Sequence, residues 1–327
     1  MNTPIRCGIV LAGGDGQRLQ PFIQRWRGDS LPKQYVTFVG TRSMLEHTFH
    51  RAEKLIPPER LFAVVNRDHL SHPEVTRQLL GRVTDTVVVQ PVNKETGPGI
   101  LLPLMHVYKR HPDSTVVVFP SDHFILEEKL FMDHVELACR AVEQNSSCLV
   151  LLGVQPSEPE PEYGYIVPGR KAHPDLHEVL RFIEKPDLDL SLNLLREGGL
   201  WNTMVMIFKA RTMVDLVCRA APQMSRVFAN ILEAIGTTRE IQTIDDAYRQ
   251  MEAMNFSKGL LEKFSVQHSP RLMVLPVLEV YWSDWGSERR ILSGLKMARS
   301  QEKRGGAKEK RHRKFAQRNR TMPSMRY

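Results

Sequence analysis

The chain has 327 residues, of which 42% are hydrophobic, and a formal net charge of +8. This length permits a large buried core in one or two domains. No apolar stretch approaches the ~20 residues that span a bilayer, which argues against a membrane-spanning protein. The lack of an amino-terminal signal pattern predicts a cytoplasmic location. The four scattered cysteines predict reduced thiols rather than a zinc site or a disulfide framework.

The positive charge is concentrated at the end of the sequence. Residues 296–327 hold 12 Lys/Arg and 2 Asp/Glu, so residues 1–295 are close to neutral. Such a charged segment with few apolar residues predicts a solvated, disordered tail. The tail suits an accessory role in binding polyanions, whereas the near-neutral remainder disfavours a nucleic-acid-binding function.

Strand and helix signals alternate through residues 1–150. Ser43 and Glu46 have the spacing of a capping box that opens a helix through Leu55, and the amphipathic segment Phe131–Val142 predicts another helix. Short apolar runs between such segments predict buried parallel strands, and together they indicate a doubly wound, Rossmann-like α/β sheet. The predicted strands are Cys7–Leu11, Leu61–Val65, Thr86–Val89, Thr115–Phe119 and Cys148–Leu152.

The second half has a less regular pattern. Extended segments are predicted near Tyr163–Val167, Val179–Glu184 and Met204–Phe208, followed by a helical stretch from about Thr212 to Glu252. His69 and His72, earlier in the chain, are three residues apart. Because no carboxylate or cysteine completes a metal set around them, they are interpreted as a surface pair.

The first predicted strand leads into a glycine-rich loop, LAGGDGQRLQP at 11–21. Glycines permit positive φ and let backbone N–H groups surround an anion, and Arg18 adds a fork of donors suited to pyrophosphate. Gln17 and Arg18 stand where a Walker A loop needs Lys and Ser/Thr, and Leu19 replaces the third glycine of a dinucleotide fingerprint. An ordinary strand-to-helix turn is the structural alternative.

The chain resembles the sugar-1-phosphate nucleotidylyltransferases, and among them the mannose-1-phosphate guanylyltransferase branch. The resemblance covers about the first 290 residues and depends on several motifs in family order. They are GGDGQRLQP (13–21), PKQ (32–34), PSDH (120–123), YGYI (163–166), IEKP (183–186), WN (201–202) and WSDWG (282–286).

The resemblance implies a mixed α/β nucleotidyltransferase fold. It divides residues 1–295 into a nucleotide-binding half (1–150) and a sugar-binding half (151–295), with 296–327 as the tail. It also implies that GTP and mannose 1-phosphate react to give GDP-mannose and pyrophosphate. Because the attacking phosphate is already anionic, this reaction needs positioning and charge neutralisation rather than a strong general base.

The resemblance assigns roles residue by residue. Asp122 and Asp284 hold Mg²⁺, which needs only one or two carboxylates besides phosphate oxygens and water. Arg18 and Lys33 neutralise the triphosphate, and Lys185 binds the sugar phosphate. The sugar subsite also includes Gly164, Glu184 and Asn202. The nucleotide-binding set is Leu11, Ala12, Gly13, Gly14, Gly16, Arg18, Lys33, Gln90, Gly97 and Asp122.

The sequence departs from the family pattern at the sugar pocket. Glu162 and Met204 stand where glycine is frequent, and Trp285 stands where valine is frequent. Another hexose 1-phosphate or another nucleoside triphosphate therefore stays open as substrate. A catalytically weak regulatory homologue that binds sugar nucleotides is a further alternative. The sequence leaves the oligomeric state open, with a homodimer as one alternative.

Overall fold

The computed structural model describes residues 4–267 and 271–301. Eleven strands are present in these ranges, in chain order β1 to β11: Arg6–Ala12, Leu61–Asn66, Val87–Gln90, Thr115–Pro120, Phe124–Ile125, Cys148–Val154, Gly164–His173, Leu176–Glu184, Leu200–Lys209, Arg271–Val277 and Trp282–Ser283. Each strand predicted from the sequence is observed, with ends shifted by a few residues.

Helices α1 to α11 within the described residues are Gln20–Arg27, Met44–Ala52, Pro73–Leu79, Thr96–Arg110, Glu128–Gln144, Leu188–Arg196, Ala210–Ala220, Pro222–Ala234, Glu240–Gln250, Glu262–Gln267 and 288–301. The predicted capping box is present: the Ser43 hydroxyl accepts from Glu46 N–H, and the Glu46 carboxylate accepts from Ser43 N–H. No helix in the described ranges is long and apolar enough to cross a membrane.

Nine strands form one mixed sheet in the order β3-β2-β1-β4-β9-β6-β10-β8-β7. Strands β3, β2, β1 and β4 are mutually parallel, and β9 pairs antiparallel with both β4 and β6. The predicted doubly wound α/β fold is therefore confirmed. Because β9 lies between β4 and β6, the two halves of the chain share one sheet.

The core has a layer on each face of this sheet. Successive strand residues point to opposite faces, so on β1 Val10 packs in one layer and Ile9 in the other. Helices α2 and α5 contribute to the first layer, and α4, α7 and α8 to the second. With both faces covered, the carboxyl edge of the parallel strands is the place where polar side chains can gather.

Two sequence predictions need correction. The helical stretch 212–252 is three helices, because Pro222 opens α8 and Gly236, at φ 79°, follows its end. The proposed boundary at residue 295 falls inside α11, so residues 296–301 of the predicted disordered tail are helical. The rest of the predicted tail lies outside the described residues.

Candidate active site

The glycine loop follows β1 and is fixed from beneath by the PKQ segment. The Gln34 side-chain amide donates to the carbonyls of Ala12 and Gly14, both at 2.8 Å, and the Tyr35 hydroxyl donates to Ala12 O at 3.1 Å. Gly16 has φ 60°, a left-handed conformation that glycine adopts at little cost. The loop is therefore held in shape without any ligand.

Asp15, within this loop, is fixed by three side chains from neighbouring segments. Asn66 and Asn93 each donate to one of its carboxylate oxygens at 3.2 Å, and His69 Nε2 lies 3.4 Å from Oδ1. His69 is buried, and burial lowers the pKa of its imidazole. The predicted surface pair is thus wrong for His69, because its ring packs beneath the loop and contacts Tyr35.

Asp122 lies just beyond β4, beside the glycine loop. Its Oδ2 forms an ion pair with Lys33 Nζ at 2.7 Å. Desolvation is the largest single effect and opposes ionisation of Asp122, but the attraction and hydrogen bonding of its neighbours, Lys33 foremost, together lower the pKa of the carboxyl group. The preceding residue, Ser121, donates its hydroxyl to Leu11 O at 2.6 Å and so ties the end of β4 to β1.

His123 is a neutral neighbour of Asp122. Burial lowers the pKa of its imidazole to about 4. Trp282 Nε1 donates to His123 Nδ1 at 3.3 Å, which assigns the ring proton to Nε2, 3.7 Å from Asp122 Oδ1. His123 therefore adds a dipole but no charge at neutral pH.

Asp284 comes from the opposite end of the chain and is held mainly through one oxygen. Its Oδ1 accepts from the Tyr163 hydroxyl at 2.8 Å and from Gly286 N–H at 2.9 Å, and lies 3.1 Å from Arg290 Nε. Burial raises the pKa of Tyr163, which keeps its hydroxyl protonated as a donor. No donor among the described residues hydrogen-bonds to Asp284 Oδ2.

Lys33 brings these two acidic positions together. The Lys33 side chain is buried, and besides Asp122 its Nζ donates to the Asp284 backbone carbonyl at 2.5 Å. No group of three or more His, Cys, Asp or Glu suited to a metal was found in the described part of the chain. The two aspartates nevertheless supply hard oxygen donors, the type that divalent cations such as Mg²⁺ prefer.

Arg18 lies at the outer edge of the loop, where its side chain is more than half exposed. Its Nη1 forms an ion pair with Glu162 Oε1 at 2.7 Å. Glu162 also forms an ion pair with Arg290, whose side chain contacts the Asp284 carboxylate. Arg18 and Arg290 thus share one carboxylate partner, Glu162, which stands where glycine is frequent in the family pattern.

Two adjoining cavities open above the loop. One, of about 230 Å³, is lined by Asp122, His123, Gln34 and Met204. The other, of about 240 Å³, is lined by Gln90, Asn93 and Glu95. Both are also lined by Leu11, Gly14 and Thr96, so the cavities form neighbouring compartments of one cleft.

The second cavity contains an acceptor that lacks a partner. Gln90 is buried, its Nε2 donates weakly to Gly13 O at 3.4 Å, and its Oε1 has no hydrogen-bond partner. Gly97 is less available, because its N–H donates to Met254 O at 2.8 Å. Of these two members of the predicted nucleotide-binding set, Gln90 is therefore the one with free hydrogen-bonding capacity.

The residues predicted for the sugar converge on strands β7, β8 and β9. A Cβ on Gly164 would lie 2.7 Å from Glu184 Oε2 and 3.5 Å from Asn202 Cβ, so any larger residue there would displace the Glu184 carboxylate. Burial raises the pKa of Glu184. Lys185 is exposed at φ 50°, and its N–H donates to Tyr163 O at 3.2 Å.

Comparison with known proteins decides the family. The family model described as Nucleotidyl transferase matches residues 7–300, nearly all of the described structure. The chain belongs to this family. The predicted membership is confirmed, and the glycine loop and both aspartates fall within the nucleotidyl transferase region.

Individual relatives are similar at moderate identity. Xanthan biosynthesis protein XanB from Xanthomonas campestris pv. campestris (strain B100) is 29% identical over 286 residues, covering 87% of this chain and 58% of that protein. A mannose-1-phosphate guanylyltransferase from Salmonella muenchen is 27% identical over 285 residues, covering 85% and 57%. The chain thus spans less than two thirds of the length of these curated relatives.

A solved structure agrees with the fold. The crystal structure of a mannose-1-phosphate geranyltransferase from Thermus thermophilus superposes with a TM-score of 0.75 at 27% identity. The match covers 88% of this chain and 79% of that one. The mixed sheet of this nucleotidyl transferase is therefore shared over most of its length.

Sequence reasoning missed several residues of the nucleotidyl transferase site. Arg290 lies on α11 outside every motif, yet it contacts Asp284 and its guanidinium lies 4.8 Å from the Tyr163 ring centroid. Tyr163 was included in a motif without a role for its hydroxyl. The only signal for Arg290 was an arginine soon after WSDWG, and this spacing has no meaning until the fold brings Arg290 against Glu160, Glu162 and Tyr163.

Proposed function

We propose that the protein transfers GMP from GTP to mannose 1-phosphate, giving GDP-mannose and pyrophosphate. The supporting observation is that the Lys33 ammonium, beside the glycine loop, contacts both the Asp122 carboxylate and the backbone carbonyl of Asp284 and so brings these two positions together. This arrangement provides negative charge for a cation and positive charge for phosphates in one cleft. It contains no nucleophile-base pair, which agrees with a reaction whose nucleophile is already ionised.

The reaction balances without a general base. A phosphate oxygen of mannose 1-phosphate attacks the α-phosphorus of GTP, an O–P bond forms, and the bond from that phosphorus to the bridging oxygen of the β-phosphate breaks. Pyrophosphate leaves with the electron pair. Arg18 neutralises the leaving group, Lys33 orients the α-phosphate, and Lys185 holds the sugar phosphate.

Asp122 and Asp284 would hold Mg²⁺. Their carboxylate oxygens fit this ion, and Asp284 Oδ2 has no hydrogen bond from the described residues that the ion would have to replace. Once bound, Mg²⁺ supplies charge neutralisation for the phosphate oxygens. Tyr163 and Arg290 fix Asp284 through its first oxygen, which limits the orientations that the carboxylate can adopt.

The cavity around Gln90 supports guanine as the base. Gln90 Oε1 is a buried acceptor without a partner, and the Glu95 carboxylate lines the same cavity. Guanine presents adjacent donors at N1 and N2, which a carboxylate or an amide oxygen can accept. Uracil and thymine offer only one such donor, so this surface favours guanine over either pyrimidine.

The sugar assignment depends on the close packing of Gly164, Glu184 and Asn202, and on the names of the relatives above. The Glu184 carboxylate accepts from sugar hydroxyls, and the missing side chain at Gly164 admits the ring. A different hexose 1-phosphate is the second candidate, because Met204 occupies a place where the family pattern has glycine.

Pyrophosphate release tests the proposal. Purified protein with Mg²⁺ is supplied with each pair of GTP, UTP, dTTP or ATP and mannose, glucose or galactose 1-phosphate. Release confined to GTP with mannose 1-phosphate is expected. Release with another pair would show that the substrate assignment is wrong and that nucleotidyl transfer is right. No release with any pair would favour a regulatory protein that binds sugar nucleotides.

A further inference from the structure

Met204 occupies a backbone conformation that side chains rarely adopt. It has φ 56°, in the left-handed region. A residue with a Cβ is disfavoured there, whereas glycine is not. Glycine is also the residue that the family pattern has at this place, so this chain retains a methionine despite its conformational cost.

The unusual conformation is imposed by a bulge in β9. Strand β6 pairs Leu151 with Met206 and Gly153 with Asn202, so β9 accommodates extra residues between these pairs. The Asn202 side-chain carbonyl accepts from Met204 N–H at 3.1 Å. The Asn202 side chain therefore holds Met204 in its left-handed conformation in the folded state. Strained backbone of this kind is frequent at functional sites.

Thr203 completes the bulge. Its hydroxyl donates to Leu152 O at 2.7 Å and accepts from Val205 N–H at 3.2 Å. Both hydrogen bonds are buried, and the Thr203 hydroxyl oxygen thereby takes the place of a backbone hydrogen bond between the strands. The bulge therefore directs Met204 to a defined place, which is a recurrent use of bulges near active sites.

The Met204 side chain lines one of the two compartments of the cleft. It lines the cavity that also contains Asp122 and His123. Its sulfur accepts from the Ser257 hydroxyl at 3.3 Å, and Ser257 also lies beside Glu184. Met204 thus lies between the acidic position at the end of β4 and the residues assigned to the sugar.

We propose that Met204 is a specificity-determining residue that limits the size of the sugar 1-phosphate in the acceptor subsite. This inference depends on the proposed function. A thioether side chain fills irregular space and excludes a substituent of similar size from the sugar ring. Apolar exclusion of a group of this kind changes substrate selectivity by about tenfold or more.

Two variants separate the side chain from the backbone. Met204→Gly removes the whole side chain and the strain, whereas Met204→Ala removes the thioether but keeps the Cβ and the strain. Selectivity is measured as kcat/KM for mannose 1-phosphate divided by kcat/KM for 2-acetamido-2-deoxyglucose 1-phosphate, with GTP. Both variants should lower this ratio by about tenfold or more, while KM for GTP stays within about twofold.

Glu279 offers a matched control. It has φ 58° and an exposed side chain, and it lines neither of the two cavities of the cleft. Glu279→Gly relieves the same kind of strain elsewhere, and the selectivity ratio should not change. A changed ratio in this control would mean that backbone relaxation alone alters selectivity, which would overturn the role of the Met204 side chain.

The remaining outcomes distinguish the two proposals. An unchanged ratio in both Met204 variants of an active enzyme overturns the Met204 inference alone, as does a change confined to KM for GTP. No turnover by the wild-type protein removes the proposed function. In that case calorimetry compares binding of GDP-mannose with binding of GDP, and an unchanged relative affinity in the Met204 variants overturns the inference as well.

Discussion

In residues 6–150 several candidate site residues lie at the ends of parallel strands, whereas in residues 151–301 three residues at or beside the site have left-handed backbone. The glycine loop follows β1, Gln90 ends β3 and Asp122 follows β4. In the second half Lys185, Met204 and Trp285 have φ values of 50°, 56° and 48°. Glu95, at φ 70°, is the non-glycine residue of the described first half that shares this feature.

The difference shows how each half fixes its side chains. Parallel strands bring their carboxyl ends to one edge of the sheet, so the approximate positions of the residues there follow from local pattern. Irregular backbone needs partners elsewhere, such as Asn202 for Met204 or Tyr163 O for Lys185. The first half is therefore expected to tolerate changes around its site better than the second half.

The largest expected effect tests whether both halves contribute to one reaction centre. Asp122→Asn and Asp284→Asn should each lower kcat by about a hundredfold or more, because each removes a negative ligand from the proposed Mg²⁺ site. Pyrophosphate release measures this. Near-normal Mg²⁺-dependent turnover in either variant would contradict the role of that aspartate.

A control for this pair lies at the other end of β4. Asp113 is exposed and forms a surface ion pair with Arg211, so Asp113→Asn should leave kcat unchanged. Thermal unfolding of Asp122→Asn is also needed, since that variant leaves the buried Lys33 without its carboxylate partner. A folded but inactive variant supports a catalytic role, and an unfolded one does not.

The next effect concerns the support of Asp284 in the second half. Arg290→Lys should lower activity by about tenfold and raise the Mg²⁺ concentration needed for half-maximal rate, because lysine cannot keep the contacts of Arg290 to Asp284, Glu160 and Glu162. A Mg²⁺ titration of pyrophosphate release measures both quantities.

Arg289→Lys is the matched control for Arg290→Lys. Arg289 is the adjacent residue, is more than half exposed, and pairs with Glu158 and Glu160 without contact to Asp284. Its Mg²⁺ dependence should equal that of the wild-type protein. Equal effects of the two substitutions would show that Arg290 does not position Asp284.

A smaller effect is expected at the contact that joins the halves. Glu162 binds Arg18 and places a negative charge near the proposed triphosphate site. Glu162→Gln should lower KM for GTP by about two- to fivefold, because Arg18 no longer has to break its ion pair with Glu162 before it binds the triphosphate. Glu158→Gln is the control, and a raised KM in Glu162→Gln would instead mean that Glu162 holds Arg18 in its productive place.

The smallest effect is on stability. Because burial raises the Glu184 pKa, the folded state holds this proton to higher pH than the unfolded state, and ionised Glu184 destabilises the fold above that pKa. Glu184→Gln should therefore raise Tm by about 1–2 °C at pH 8. The gain should vanish below the ordinary Glu pKa of about 4.3. The same gain at every pH would point to packing rather than ionisation.

Sequence patterns predicted most elements because their signals are local. The apolar runs predicted β1, β2, β4 and β6, and the Ser43–Glu46 spacing predicted the start of α2. The helical stretch 212–252 was predicted without its interruptions, since hydrophobic periodicity continues across Pro222 and Gly236. The central position of β9 could not be predicted, because strand order depends on pairing between distant segments.

By itself the sequence determined the fold class and the position of the glycine loop, and it indicated both aspartates as candidates, since these are properties of short segments and their order. Only the tertiary structure decided which donors hold them. Lys33 is buried against Asp122, Arg290 reaches Asp284 from α11, and a bulge directs Met204 into the cleft. These contacts join residues far apart in the chain, and only packing of the sheet and helices brings such residues together.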